Sequence, residues 1–187
     1  EKPVHSTAAV KQAKRLNDSV RVSDSDAAEE VHLELYYGKM RGDALELSLP
    51  EAMHLVDRQE LDVLDSGEKL SREEAFERFC SLDGDFDQKY TVYDDLRDRG
   101  FIVKTGFKFG THFRTYPRGV NPYKEGPKTN QEHTQRLVHA VHESREWSME
   151  EISRLVRLAE NVRADFVFGV VDSEHDVTYY EVDRLTP

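Results

Sequence analysis

The sequence is short of several features that would mark other classes of protein. It has a single cysteine, Cys80, which excludes a disulfide-stabilised fold and fits a reducing cytoplasm. No apolar run approaches the roughly 20 residues of a membrane-spanning helix, and residues 1–30 are too polar for a signal peptide. The histidines and the cysteine lack the spacing of zinc ligands, and there is no glycine-rich loop of the P-loop type. These absences predict a soluble, cytoplasmic protein and give no sign of a bound metal.

Charge is distributed unevenly along the 187 residues. The formal net charge is −11, which taken alone argues against binding a polyanion. Residues 97–136 nevertheless hold 9 Lys and Arg against 3 Asp and Glu, whereas the regions on both sides are acidic. A basic segment within an acidic chain predicts a local phosphate-binding surface, and an ordinary solvated stretch is the alternative.

The order of periodic segments predicts an α+β fold in several parts. Residues 1–30 have little apolar periodicity, which indicates a linker or flexible arm. Residues 31–90 alternate short strands and helices, which predicts a small N-terminal α/β domain. Residues 91–187 predict a C-terminal domain with a mixed sheet and one long helix that begins at a capping box of Ser148 and Glu151. The strands of that sheet are expected at about 101–103, 113–116, 137–141, 166–171 and 177–182.

Two side chains of the basic segment are candidates for metal-free cleavage of RNA. That reaction needs a base for the 2′-OH, an acid for the leaving 5′-oxygen and a cation for the phosphorane. Tyr116 ends a predicted strand between two arginines, and His133 follows a long loop rich in Pro and Gly; a packing role and a solvated position are the ordinary alternatives. His139 alternates with apolar neighbours in a predicted strand, which indicates a solvent-facing side chain. These residues alone support no more than an RNA-binding α+β protein.

Several segments, in order, resemble the signature of archaeal tRNA-splicing endonucleases. They are 93–110 (YDDLRDRGFIVKTGFKFG), 113–116 (FRTY), 133–138 (HTQRLV) and 157–163 (RLAENVR), followed by a closing hairpin over 166–182. The resemblance covers roughly residues 31–187 and is dense over 88–187. It implies a nuclease-like C-terminal domain and a metal-independent endoribonuclease without a cofactor. The implied reaction excises introns from precursor tRNA at bulge-helix-bulge motifs and leaves 2′,3′-cyclic phosphate and 5′-hydroxyl ends.

The resemblance also implies roles for individual residues. Tyr116 corresponds to the family's base and His133 to its acid, whereas the position of the family's transition-state lysine is Ala164. This copy is therefore expected to be impaired, through a natural change, an engineered one, or transfer of the role to another cation. Arg163 is expected to be a poor substitute, because neighbouring side chains point about 100–180° apart. Restoring the lysine, Ala164→Lys, is expected to raise the cleavage rate by about 10²–10³.

Four cations are candidates for binding the RNA. In the family, two arginines hold bulged bases through the faces of their guanidinium groups. Arg157 matches one of them well, and Arg184 is a looser match; a solvated helix face is the alternative for Arg157. Lys104 and Lys108, from the basic segment, are expected to bind RNA as well.

The resemblance further implies an assembly of four such units, made from separate chains or from two-repeat chains. The acidic turn 172–176 resembles the loop that docks into a neighbouring unit, and a solvated turn is the alternative. Because the chain begins at Glu1 and shows one repeat, it could equally be half of a two-repeat protein. The rival function is a non-catalytic structural subunit, which Ala164 favours and the presence of both Tyr116 and His133 disfavours.

Overall fold

The computed structural model of the chain describes residues 11–106, 110–124, 126 and 133–185. It divides into two units, Glu1–Asp83 and Gly84–Pro187. The α+β class predicted from the sequence is confirmed, since each unit contains helices and a mixed sheet. Among the described residues, no helix combines the length and the apolar character needed to cross a bilayer.

The first unit is a six-stranded sheet with three helices, counted over its described residues. The elements are β1 (Lys11–Arg15), β2 (Ser19–Val22), α1 (Ser25–Leu33), β3 (Lys39–Arg41), β4 (Ala44–Ser48), α2 (Leu49–Asp57), β5 (Leu61–Asp65), β6 (Glu68–Lys69) and α3 (Arg72–Leu82). The strand order is β3-β4-β2-β1-β5-β6, in which β1 and β5 are parallel and the other neighbours are antiparallel. Leu45 and Leu47 of β4 are fully buried and anchor the core of this unit.

The predicted linker or flexible arm over 1–30 is wrong for residues 11–30. These residues form the hairpin β1–β2 and most of α1, whose N-cap Asp24 accepts a hydrogen bond from the backbone N–H of Ala27 at 2.8 Å. Only three apolar side chains of the two strands are buried, namely Ala13, Val20 and Val22. So few apolar residues give no readable alternation, and the main partner of β1 is β5, far away in the sequence.

The second unit contains the predicted mixed sheet. Its described elements are α4 (Phe86–Asp98), β7 (Ile102–Thr105), β8 (Phe113–Tyr116), β9 (Arg136–His142), α5 (Met149–Asn161), β10 (Asp165–Val171) and β11 (Val177–Val182). The strand order is β11-β10-β9-β8-β7, with β9 and β10 parallel and the other neighbours antiparallel. The unit begins before residue 91, since the whole of α4 belongs to it.

The two helices of this unit cover opposite faces of its sheet. On one face, Leu137, Phe166 and Phe168 pack against apolar residues of α5. On the other face, Gly169 meets α4 so closely that an added Cβ would lie 2.9 Å from Cγ1 of Val92. The capping box predicted at the start of α5 is present, because the Ser148 hydroxyl accepts from the Glu151 N–H and the Glu151 carboxylate accepts from the Ser148 N–H. Because helices cover both faces of the sheet, the ends of its strands are the part left open for a functional site.

Candidate active site

Backbone hydrogen bonds bring three predicted site positions to one edge of the second sheet. Tyr116 is the last residue of β8, and Ala164 directly precedes β10. The N–H of Gln135, two residues after His133, donates to the carbonyl of Thr115 at 3.0 Å, and the carbonyl of Gln135 accepts from the N–H of Asp165 at 2.9 Å. Since β8 runs antiparallel to β9 and β10, its end lies beside their beginnings.

Tyr116 is largely buried within this edge. It pairs with Ile102 across β7 and β8, and its exposed fraction is 5%. The guanidinium carbon of Arg114 lies 5.8 Å from the centroid of the Tyr116 ring, a cation–π contact. The packing role that sequence reasoning gave as the ordinary alternative is therefore present, and it orients the ring.

His133 lies on an open cavity of about 680 Å³. The side chain is exposed, and the cavity is also lined by residues from the start of β9, the end of α5 and the start of β10. The charged members are Arg136, Arg163 and Asp165. Of the side chains that commonly bind divalent metals, the lining residues provide one carboxylate, from Asp165, and one imidazole, from His133. A catalytic zinc site has three protein ligands. The cavity instead offers cations for a phosphate.

Ala164 faces a different side from this cavity. It packs against the core under α5 and lines a small cavity of about 30 Å³ together with Glu160, Glu181 and Asp183. The structure thus brings the Ala164 backbone to the sheet edge near His133, but its Cβ joins apolar and acidic neighbours. No residue of the small cavity other than Asp165 also lines the larger one.

Arg163 and Arg136 are the cations of the His133 cavity. The sequence analysis gave Arg136 no role and expected Arg163 to be a poor substitute for the missing lysine. Arg163 has a φ of 57°, in the left-handed region that glycine ordinarily occupies. The sequence held a signal for this conformation, because the predicted helix is followed closely by a strand and no glycine is present to end the helix. Nothing in the sequence gives the direction of its side chain.

The predicted RNA-binding residues differ in their placement. Arg157 is exposed on α5, where its Nε donates to the Ser153 carbonyl at 3.3 Å. The Arg184 guanidinium pairs with Glu160 at 3.5 Å, which ties the end of the chain to α5. Lys108 lies outside the described residues.

The prediction that Lys104 binds RNA is not supported by its position. Its exposed fraction is 6%, and its ammonium donates a hydrogen bond to the Tyr123 hydroxyl. The ammonium also lies 5.0 Å from the centroid of the Tyr123 ring. Ile102, Val103 and Lys104 of β7 are all buried, so this strand does not present the exposed face that the prediction assumed. Lys104 instead holds the segment after β8 through its contact with Tyr123.

The prediction that His139 faces solvent is wrong. Its ring stacks on His112 with centroids 3.9 Å apart and meets Trp147 edge-on at 5.1 Å. Burial, with a smaller contribution from Lys89, lowers the pKa of His139 from 6.5 to about 4. The ring is therefore neutral at pH 7 and belongs to an aromatic cluster.

The acidic turn 172–176 is organised by its own first residue. One oxygen of the Asp172 carboxylate accepts the backbone N–H groups of Glu174 and Asp176, both at 2.9 Å. His175 adopts a left-handed φ of 66° and its Nε2 lies 3.2 Å from Asp87 of α4. The side chains of Glu174 and Asp176 belong to exposed residues.

Comparison with known proteins adds an independent line of support. The catalytic C-terminal domain of tRNA intron endonucleases matches residues 86–179, and the N-terminal domain of these enzymes matches residues 12–76. A tRNA-splicing endonuclease of Thermococcus onnurineus is 45% identical over 148 residues, which cover 79% of this chain and 81% of the relative. That of Thermococcus kodakarensis is 42% identical over 166 residues, covering 89% and 93%. That of Methanosarcina mazei is 37% identical over 166 residues, which cover 89% of this chain but 44% of the relative.

Proposed function

Because the chain belongs to the tRNA intron endonuclease family, we propose that it cuts precursor tRNA at the bulge-helix-bulge motifs that flank an intron. The 2′-oxygen attacks the adjacent phosphorus, and the bond from phosphorus to the 5′-oxygen breaks. The products carry a 2′,3′-cyclic phosphate and a 5′-hydroxyl. The reaction needs no metal, because the nucleophile is part of the RNA and protein side chains move the protons.

The observation that carries the proposal is the row of backbone hydrogen bonds through Thr115, Gln135 and Asp165. It joins the end of β8 to the starts of β9 and β10, and each proposed catalytic position lies within two residues of it. Tyr116 takes the proton from the 2′-OH, and His133 gives a proton to the leaving 5′-oxygen. The Arg114 guanidinium lies over the Tyr116 ring and holds the proposed base in place.

Cleavage is expected to be slower than in relatives that carry the lysine. Position 164 holds Ala164, so the positive charge that the family places there is missing. A group that stabilises transition-state charge is worth about 10²–10³ in rate. Binding of RNA does not depend on that residue, since Arg157 and Arg184 remain at the positions proposed to hold the bulged bases.

We also propose that the protein works in the cytoplasm as part of a four-unit assembly. The exposed, acidic part of turn 172–176 is suited to a basic recess on a neighbouring unit. The four units would be four chains of this kind, or two chains with two repeats each. The chain covers 44% of the Methanosarcina mazei relative, which fits the second arrangement as well as the first.

The test is cleavage of a bulge-helix-bulge RNA in the presence of EDTA, measured under single-turnover conditions. The unmodified chain should produce a 3′ end that resists phosphatase until acid opens the cyclic phosphate. His133→Ala and Tyr116→Phe should each lower the rate by about 10²–10⁴. His142→Ala is the matched control, since His142 is an exposed histidine at the opposite end of β9. An equal loss of cleavage rate in all three variants would contradict the roles proposed for Tyr116 and His133.

The second candidate function is a structural subunit that supports an active partner, and Ala164 is the observation that favours it. In that case, neither the unmodified chain nor Ala164→Lys would cleave the RNA. Adding the chain to a partner unit with an intact lysine would still restore a full assembly. Cleavage by the chain alone in EDTA would exclude this function.

A further inference from the structure

Three helices in the described part of the chain end in the same hydrogen-bonded motif. After α2, α4 and α5, the second residue beyond the helix adopts a positive φ; these residues are Gln59 (59°), Gly100 (87°) and Arg163 (57°). In each case its N–H bonds to the carbonyl three residues back, and the next N–H bonds to the carbonyl five residues back. This pattern is the Schellman motif, which favours glycine because a side chain is strained in the left-handed region. Only α4 ends with the glycine.

At the end of α5 this motif separates two adjacent side chains. The N–H of Arg163 donates to Glu160 and that of Ala164 to Ala159, both at 3.0 Å. Ala164 then makes the apolar contact typical of the motif, lining the small cavity with Ala159. Arg163 is exposed and lines the cavity of His133.

We propose that Arg163, which shares the cavity of His133 and Arg136, supplies the positive charge at the scissile phosphate in place of the missing family lysine. The proposal rests on the proposed function. Among the described residues, the Arg163 side chain has neither an ion pair nor a hydrogen bond, so its guanidinium is available to a ligand. Guanidinium groups bind phosphate with two parallel hydrogen bonds, which suits the oxygens of a phosphorane.

The direction of the side chains is the reason that Arg163 fits this role better than position 164. Neighbouring side chains do point apart, as the sequence led us to expect, but the one that reaches the His133 cavity is Arg163. A longer side chain at position 164 would start beside Glu160, Glu181 and Asp183, whose carboxylates would hold a lysine away from the phosphate.

The experiment measures single-turnover cleavage of a bulge-helix-bulge RNA in EDTA by the full chain and three variants. Arg163→Gly removes the charge and suits the left-handed conformation, so its fold should be retained. We expect it to lower the rate by about 10²-fold, with a much smaller change in the Kd for the RNA. Arg163→Lys keeps the charge and should retain more of the rate than Arg163→Gly. Gln59→Gly is the matched control, because it makes the same backbone change at α2, and its rate should equal that of the unmodified chain.

The other outcomes overturn the inference and also separate it from the proposed function. If Arg163→Gly cleaves as fast as the unmodified chain, Arg163 has no catalytic role and the proposed function stands. If the unmodified chain does not cleave at all, Arg163 does not replace the lysine. In that case the proposed cleavage is removed as well, and the structural-subunit function remains. A fall in rate of equal size for Gln59→Gly would show that the backbone change, rather than the lost charge, is responsible.

Discussion

The neutral ring of His139 makes the stability of the second unit depend on pH. The ring lies between His112 and the edge of Trp147, with Phe168 also in contact. The pKa of the ring is lowered to about 4, mainly because burial removes water from it. Lys89 and Arg145 contribute to this shift, and Asp85 opposes it. In the unfolded chain the same histidine titrates with its ordinary pKa of 6.5.

The sign and size of the effect follow from these two values. Below pH 6.5 the unfolded chain takes up a proton that the folded chain refuses, so stability falls as the pH drops towards 4. Without screening, this shift would lower the free energy of unfolding by about 3 kcal/mol, since one pKa unit corresponds to about 1.4 kcal/mol. Because the ring is only half-buried and solvent screens the charge, we expect about 1–2 kcal/mol.

Urea denaturation at several pH values between 7 and 4.5 tests this, followed by fluorescence of Trp147, the only tryptophan of the chain. The His139→Gln variant has no titrating group at this position. Over that pH range, the free energy of unfolding of the unmodified chain should fall by about 1–2 kcal/mol more than that of the variant. Parallel curves for the two proteins would refute the reasoning, whatever the absolute stability of the variant.

Two further predictions concern stability and assembly. Tyr179→Phe removes the hydrogen bond from the Tyr179 hydroxyl to Asp95, which is 2.6 Å long, and should lower the free energy of unfolding by about 1–2 kcal/mol. The exposed Tyr180→Phe is its control in the same urea experiment and should change stability by less than about 0.5 kcal/mol. Reversing the charges of Glu174 and Asp176 to lysine leaves intact the carboxylate that organises the turn, and it should yield smaller species by light scattering if the turn docks into a neighbouring unit. An unchanged mass would exclude the docking role.

Local patterns in the sequence were sufficient for most of the second unit. The capping box of Ser148 and Glu151 predicts the start of α5 because both partners lie within one helical turn. The predicted strands near 137–141 and 166–171 correspond to β9 and β10 because their apolar runs are dense. The predicted strand 177–182 corresponds to β11, which pairs with β10 as a hairpin. These features depend on neighbours in the sequence, which a single sequence displays.

Features that depend on distant parts of the chain were not predictable in this way. The strand β1 is mostly polar, and its parallel pairing with β5 appears only in the fold. The direction of His139 was misread because alternation along β9 does not tell which residues cover the face above it. Lys104 was expected at the RNA because a basic segment was treated as exposed, whereas β7 is buried. In each case the deciding contact comes from another element.

The candidate site combines both kinds of information. The positions proposed for its base and acid, Tyr116 and His133, come from a motif order that the sequence displays directly. The position of its proposed cation is set by the three residues between the end of α5 at Asn161 and the start of β10 at Asp165. In so short a connection the Schellman motif leaves no freedom, and residues 163 and 164 must lie on opposite sides of the chain. A positive charge is therefore not interchangeable between these two positions, and a motif match alone cannot tell which of them faces the cavity of His133.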